Sequence, residues 1–399
     1  MFQHNPKDPE FHMAFPPPAS QPPIQKLKRK PDFWYFWREF ETCRRIYGLR
    51  RSAMSSVLGD GALRLAATSA MRLDNIVFKR KLADSPVRKP LFIIGHPRSG
   101  TTFFHNLLVG TDEMVGFKTW QLFWPALVGR RLIRRVVRAR KRFGTTEILP
   151  GATGHQMDLD TFEEEEFLFW LRYATPLNTT SLLGMDDVEY PEIENPDQLH
   201  EADHRNLLDY LDGCFRRQIC DSGKSQVVAQ MHFSTMRLRS LLSYYPDARF
   251  IYLVRDPLRT VPSYMTLMLN ALDNRRGLDV VSTEDIDRLK ARRYKRTLGL
   301  YRYFHDLDVA GVLPWDRVMV LRYDDLVGDV RATMDRVREF SGIEFSPELE
   351  AHIDDAASSQ SSYRRSHKVM DLEQLGISKS RILRDFSFVY DRYGIKPAA

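Results

Sequence analysis

Three short stretches of this sequence hold residues suited to gripping anions and moving protons. Gly95-His96-Pro97-Arg98-Ser99-Gly100-Thr101-Thr102 sets two glycines five positions apart, with hydroxyl donors and one arginine among them. Glycines so placed let backbone N–H groups turn inward around an anion. A helix starting just after the loop adds its unpaired first-turn amides and the positive end of its dipole. Phosphate loops for nucleoside triphosphates end in Gly-Lys-Ser/Thr, the lysine reaching the β- and γ-phosphates. Here Thr101 stands at the lysine position and the cation is Arg98. The loop therefore suits a nucleotide without a γ-phosphate. The second stretch is Arg255-Asp256-Pro257, with Ser263 eight residues beyond Arg255. A guanidinium there matches a pair of phosphate oxygens. The third is His232, whose imidazole, with an unperturbed pKa of about 6.5, is matched to taking a proton near neutrality.

These residues act together only if secondary structure gathers them. Pro90-Leu91-Phe92-Ile93-Ile94 is a short unbroken apolar run, as expected of a strand buried on both faces of a parallel sheet. Gln226–Met231, Arg249–Val254 and Val318–Arg322 read the same way, with helical stretches between them. The alternation predicts an α/β fold around a central parallel sheet. Such sheets bind ligands beyond the carboxyl ends of their strands. The glycine loop, His232 and Arg255 each stand at one of those ends.

Eight of the 22 prolines fall in the first 31 residues, which predicts an extended or disordered arm over 1–31. Residues 32–88 read as a helical N-terminal extension in which Trp34, Phe36 and Trp37 are either packed core aromatics or a membrane or substrate surface. Residues 89–399 form the main domain. Within it, Thr161-Phe162-Glu163-Glu164-Glu165-Glu166 precedes an apolar run, and Thr161-x-x-Glu164 reads as a capping box. The dipole of such a helix would weaken these acids as bases. Between Glu113 and Glu147 no acid occurs, while arginines recur at Arg130/Arg131, Arg134/Arg135 and Arg138, opposite Leu132/Ile133 and Val136/Val137. A basic amphipathic helix of this kind either packs its apolar face or lies on an anionic membrane.

Composition sets the limits. The chain has 399 residues, 43% of them hydrophobic and 28% charged, which excludes a wholly disordered or collagen-like chain. Three cysteines do not make a disulfide framework, so a reducing, cytoplasmic setting is expected. No run of about 18 apolar residues and no secretory leader are read in it. The net charge of +7 suits anionic ligands or a membrane surface.

The two anion motifs, in this order and at this distance, resemble those of the sulfotransferases that use 3′-phosphoadenosine 5′-phosphosulfate (PAPS). Pro97-Arg98-Ser99-Gly100-Thr101-Thr102 looks like their 5′-phosphosulfate loop, and Arg255 with Ser263 like their 3′-phosphate site. Asp247-Ala248-Arg249-Phe250 leading into Arg255-Asp256-Pro257, and Arg322-Tyr323-Asp324-Asp325-Leu326, are similar to the bacterial branch. The resemblance covers about residues 89–399. It implies a P-loop-like three-layer fold, PAPS as co-substrate, no metal and no nucleic-acid partner. It also implies transfer of a sulfuryl group to a hydroxyl or amine of a small-molecule or lipid-like acceptor. Arg98 would be the cation at the leaving phosphate. His232 stands where cytosolic relatives carry a catalytic histidine, although Gln230 replaces the lysine they place two residues earlier. Bacterial relatives point instead to a glutamate, which here is Glu163 or Glu164. His232 is the first choice of base and the acids the second; His96, His105 and His155 read as packing residues. The basic segment with Arg365 and Lys368 would touch the nucleotide or form a solvated basic loop. A P-loop small-molecule kinase and a non-catalytic membrane-associated nucleotide-binding protein are the competing readings. The basic amphipathic stretch that runs through Arg130/Arg131, Arg134/Arg135 and Arg138 suggests an enzyme peripheral to the membrane that sulfates an amphiphilic alcohol.

Overall fold

The computed structural model describes residues 26–153, 155–360 and 369–398. Arg365, Lys368 and the first 25 residues of the proline-rich arm lie outside the described residues. In chain order the strands are β1 (Arg88–Gly95), β2 (Glu147–Leu149), β3 (Met157–Asp158), β4 (Gln226–Gln230), β5 (Arg249–Val254) and β6 (Val318–Arg322). The four strands expected from their apolar runs form one parallel sheet in the order β4-β1-β5-β6, and β2 and β3 pair as a small antiparallel hairpin. Gly95 lies beside Leu253, and Leu253 beside Leu321, so the strands end nearly flush.

Side chains alternate across the sheet, as a two-residue period requires. Leu91, Ile93, Ile251 and Leu253 enter a core with the helix that follows the glycine loop and with the helices Val330–Ser341 and Pro347–Gln360. Phe92, Ile94, Phe250 and Tyr252 face the other way, against the helices Glu201–Ser222, Pro257–Arg276 and Thr283–Val309. The result is the three-layer arrangement, helices on both faces of a parallel sheet.

The N-terminal helices are α1 (Asp32–Tyr47), α2 (Arg51–Val77) and α3 (Lys79–Ala83). Cys43, Tyr47, Val57 and Met71 share one apolar core with Phe92 and Phe250. Of the leading aromatics, Trp34 and Phe36 pack against buried groups, while Trp37 is exposed. Two buried ions tie the helices down. Arg64 pairs with Glu39 at 2.8 Å and lies over the rings of Trp170 and Tyr173. Asp74, with no exposed surface, accepts from the N–H groups of Leu127 and Val128 at 2.7 and 2.9 Å and from Arg217 at 2.9 Å. Removing one partner of such a buried pair strands the other, so Asp74→Ala is expected to lower stability by about 3–5 kcal/mol. A melting curve within 1 °C of the parent's would refute this.

After β1 come α4 (Thr101–Val109), α5 (Thr119–Phe123) and α6 (Arg130–Arg142). α5 stops at Phe123, and α6 begins only after Gly129, whose φ is 82°. In α6, Val137 is buried and Ile133 half-buried, but Leu132 and Val136 face solvent. The expected packed pairs are therefore split, because the helix contacts the body along a single narrow line. No helix among the described residues is long and apolar enough to cross a membrane.

Candidate active site

All four carboxyl ends of the sheet contribute to one site. The glycine loop leaves β1, His232 lies two residues past β4, Arg255 follows β5 and Tyr323 follows β6. The loop is curled by left-handed residues: Gly95, Arg98 and Gly100 have φ of 124°, 75° and 89°. At Gly95 a Cβ would come 2.3 Å from the Leu253 carbonyl oxygen, and at Gly100 one would come 2.7 Å from the Tyr323 ring. Both glycines are thus required by close approach as well as by φ. Gly100 caps α4, whose first-turn N–H groups have no acceptor within the helix and open toward the loop.

The two anion motifs meet. Arg98 Nε donates to Ser263 Oγ at 3.0 Å, and Arg255 Nη1 donates to the Arg98 carbonyl at 2.9 Å. The Arg255 guanidinium stacks 3.7 Å from the Tyr323 ring centroid. Arg98 therefore bridges what the sequence presents as separate subsites. Tyr323 went unassigned in the sequence, although it follows β6 as Arg255 follows β5. Met370, just past the stretch that holds Arg365 and Lys368, donates its N–H to Thr266 Oγ1 at 3.0 Å, less than one turn from Ser263.

The acidic run is not a capping box. Thr161 Oγ1 donates to the Asp158 carbonyl at 3.0 Å, and the helix that follows is the single turn Phe167–Trp170, with no side-chain cap. Each glutamate instead has its own partner. Glu163 Oε2 lies 2.8 Å from His155 Nε2, and Glu164 Oε2 lies 2.9 Å from His232 Nε2. Glu165 accepts from the N–H groups of Phe117 and Gln230 at 3.1 and 2.7 Å. Glu166 accepts from the N–H and Oγ of Ser234 at 3.0 and 2.8 Å. Burial raises the Glu165 carboxyl well above the usual range, and raises Glu166 against the opposing pull of Arg237. These two inner acids pin the segment to the exit of β4. The outer two are thereby presented to the cavity.

The two candidate bases, alternatives in the sequence, are thus one pair. His232 is buried, its Nε2 also 2.8 Å from Gln230 Nε2, with Thr101 Oγ1 3.4 Å from both ring nitrogens. A proton on Nε2 donated to Glu164 requires the Gln230 amide oxygen, not its nitrogen, toward the ring. That orientation also gives Gln230 Oε1, otherwise buried without a partner, a donor. Sequence reasoning set His155 aside as packing, yet it lines the same cavity. Burial works to lower its imidazole, but Glu163 outweighs this and raises it above its ordinary value. Its signal was faint: a histidine eight residues before Glu163, with no element between them long enough to fix the geometry.

His96 and His105 are packing residues. His96 stacks on Tyr301 with ring centroids 5.3 Å apart. Burial lowers the two imidazoles to about 3 and about 4. In the unfolded chain both protonate near 6.5, so stability is full above that value and falls as pH drops toward the folded values. Melting temperature is expected to decline from about pH 6.5 to about pH 4.5, with a shallower slope in His105→Gln. A flat profile in the parent protein would contradict this.

Arg98, Thr101, His155, Glu163, Glu164, His232 and Arg255 line one cavity of about 1020 Å3. Beyond these groups Leu63, Phe123, Ile148, Met157, Phe167, Trp170, Leu267 and Met268 supply apolar surface, interrupted by polar groups that include Asp60, Asn274, Arg275 and Arg276. A charged end that can hold an anion and move a proton thus opens into a chamber rich in apolar side chains.

Comparison with known proteins agrees with this architecture. Omega-hydroxy-beta-dihydromenaquinone-9 sulfotransferase Stf3 of Mycobacterium bovis, and the same enzyme of Mycobacterium tuberculosis, are each 26% identical over 329 residues, spanning 80% of this chain and 79% of theirs. Among solved structures, sulfotransferase STF9 of Mycobacterium avium superposes with a TM-score of 0.64 at 19% identity, covering 90% of this chain and 96% of that one. Sulfotransferase STF1 of Mycobacterium tuberculosis H37Rv gives 0.62 at 16% identity, covering 90% and 93%. These two likenesses carry the fold, including its P-loop-like core. The profile of the sulfotransferase family matches residues 90–347, well over half of the chain, with the glycine loop, the acidic run, His232, Arg255 and Ser263 all inside it. The chain therefore belongs to the sulfotransferase family and is an enzyme of sulfuryl transfer, not a kinase or an inert nucleotide binder.

Proposed function

We propose that the enzyme takes its sulfuryl group from PAPS and passes it to the hydroxyl of a lipid-like alcohol. The observation that carries this reading is one cavity with two characters, a cationic and proton-moving end and a remainder rich in apolar side chains. The donor end fits the co-substrate: a loop whose glycines leave no room for a Cβ, first-turn amides of α4, and the guanidinium groups of Arg98 and Arg255. When bound, PAPS supplies an activated sulfuryl group on a 5′-phosphate leaving group. Arg98 and the loop amides then offset the charge that develops on that phosphate, while Arg255 and Ser263 hold the 3′-phosphate. His232, oriented through Nε2–H to Glu164, keeps Nδ1 unprotonated, able to receive the acceptor's hydroxyl proton, and Glu164 stabilises the imidazolium that results. Glu163 and His155 neutralise each other beside this pair. Glu163 is thus a positioning residue rather than the base.

The acceptor class is supported by the apolar side chains of the wall and by the mycobacterial relatives whose name specifies a menaquinone-derived substrate. The same reading makes this a cytoplasmic enzyme working at an anionic membrane, with the basic helix α6 turned toward the lipid. The test is turnover: PAPS with a series of primary alcohols of increasing chain length, scored by sulfated product. Catalytic efficiency should rise with chain length. Preference for short polar alcohols would overturn the acceptor class.

Arg255→Ala is expected to weaken binding of 3′-phosphoadenosine 5′-phosphate far more than binding of adenosine 5′-phosphosulfate, which lacks the 3′-phosphate. Equal losses by calorimetry would contradict the 3′ assignment.

A further inference from the structure

Fourteen large apolar side chains are exposed among the described residues; eight belong to residues 32–88 and four to the stretch from Leu132 to Ile148. They are not scattered. Along α2, Leu58, Ala62, Leu65, Ser69, Leu73 and Ile76 recur every three or four residues and are all exposed. That spacing makes one stripe down a helix. Its inner stripe, with Val57, Ala67 and Met71, already fills the core. The outer stripe is a second apolar face with nothing beneath it: Leu65 and Ile76 are 71% and 77% exposed. Charge around it has one sign. The exposed charges on that face are Arg51 and Arg72, whereas the acids of α2 point elsewhere, Asp60 to Arg275 at 2.6 Å and Asp74 into the core.

Helix α6 repeats the pattern. Leu132, Val136 and Phe143 lie exposed on one side, at 66%, 51% and 80%. Asp221 and Asp160 take Arg130, Arg134 and Lys141, but Arg131, Arg135, Arg138, Arg140 and Arg142 have no acidic partner among the described residues. The two helices are joined: buried Asp74 of α2 holds the N–H groups of Leu127 and Val128, just before α6. Both reach the cavity, α2 through Leu63 and the hairpin after α6 through Ile148.

We infer that the exposed face of α2, together with α6, seats the enzyme on an anionic lipid surface, with the cavity between them open to lipid. Apolar side chains flanked by arginine, with no acid on the outer stripe of α2 or on α6, suit the boundary between headgroups and acyl chains. A second copy of the chain fits less well, because two such faces would set like charges against each other. This inference rests on the lipid-like acceptor proposed above, and it gives the N-terminal extension a role in delivering that acceptor.

The experiment uses the full chain with vesicles of phosphatidylcholine, with and without phosphatidylglycerol, in a flotation assay at low and high salt. The parent protein should float with the anionic vesicles, less so at high salt. Leu65→Glu/Ile76→Glu and, separately, Arg135→Glu/Arg138→Glu should each bind about tenfold less or worse, with unchanged circular dichroism and unchanged turnover of a water-soluble short alcohol. No flotation of the parent on anionic vesicles overturns the inference, as does parent-like flotation of the α2 variant. A concentration-dependent dimer abolished by the α2 variant, with vesicle binding intact, would assign the face to a second copy and overturn it too. The soluble-alcohol assay keeps the readings apart: flotation without any sulfation fails the proposed function, and sulfation without flotation fails only the membrane seat.

Discussion

His232→Ala should lose about 10²–10⁴-fold in kcat while keeping its affinity for 3′-phosphoadenosine 5′-phosphate. In the proposed mechanism the imidazole takes the acceptor proton, and its removal leaves Glu164 facing a hole instead of a base. Glu164→Gln is expected to cost less, because an amide still accepts from Nε2–H and keeps the ring oriented, but cannot stabilise an imidazolium. Comparing kcat of the two variants at equal melting temperature separates the roles. Should Glu164→Gln prove the dead variant and His232→Ala an active one, the order is reversed and the carboxylate takes the proton directly.

Arg98→Ala is expected to lower kcat by about 10²–10³, the usual cost of losing one preorganised donor at a developing anion. Two further consequences follow from its place in the loop. Ser263 loses the Nε–H it now accepts, and a residue at φ 75° is exchanged for one with no side-chain anchor, so affinity for the nucleotide product should fall as well. Arg98→Lys separates the parts. It restores a charge without the fork that reaches Ser263, and should recover kcat more than affinity. Near-parent kcat in Arg98→Ala would remove the residue from the leaving-group role.

The sheet and its motif ends were legible because each depends on local chemistry. An unbroken apolar run such as Leu91–Ile94 reads as a strand buried on both faces, and glycines beside a helix start read as an anion loop. The acidic run was misread for the same reason. Thr161 and Glu164 have the spacing of a capping box, and only the tertiary structure shows that Glu165 and Glu166 are drawn inward to bind backbone at Phe117, Gln230 and Ser234. Once those two are fixed, Glu163 and Glu164 must turn to the cavity. His155 was invisible as a site residue because nothing in its own neighbourhood marks it; it belongs to the site by contact with Glu163, whereas Tyr323 carried a signal, its place just after β6, that went unused. The stripe on α2 had a period that could be counted, but hidden and solvent-facing stripes look alike until the core claims one of them.

The bond from the Gln230 N–H to the Glu165 carboxyl has a consequence for the molecule in a crowded cell. β4 is the last strand on its side of the sheet, and a terminal strand with open N–H groups invites another chain to add to it. Here Val115 brackets the strand, donating to the Gln226 carbonyl and accepting from the Val228 N–H, and Glu165 covers the N–H at Gln230. The side of the sheet next to the His232–Glu164 pair is thereby closed to edge-to-edge association. A single buried carboxyl does there what a neighbouring strand would otherwise have to do, and leaves the space beyond it free for the acceptor.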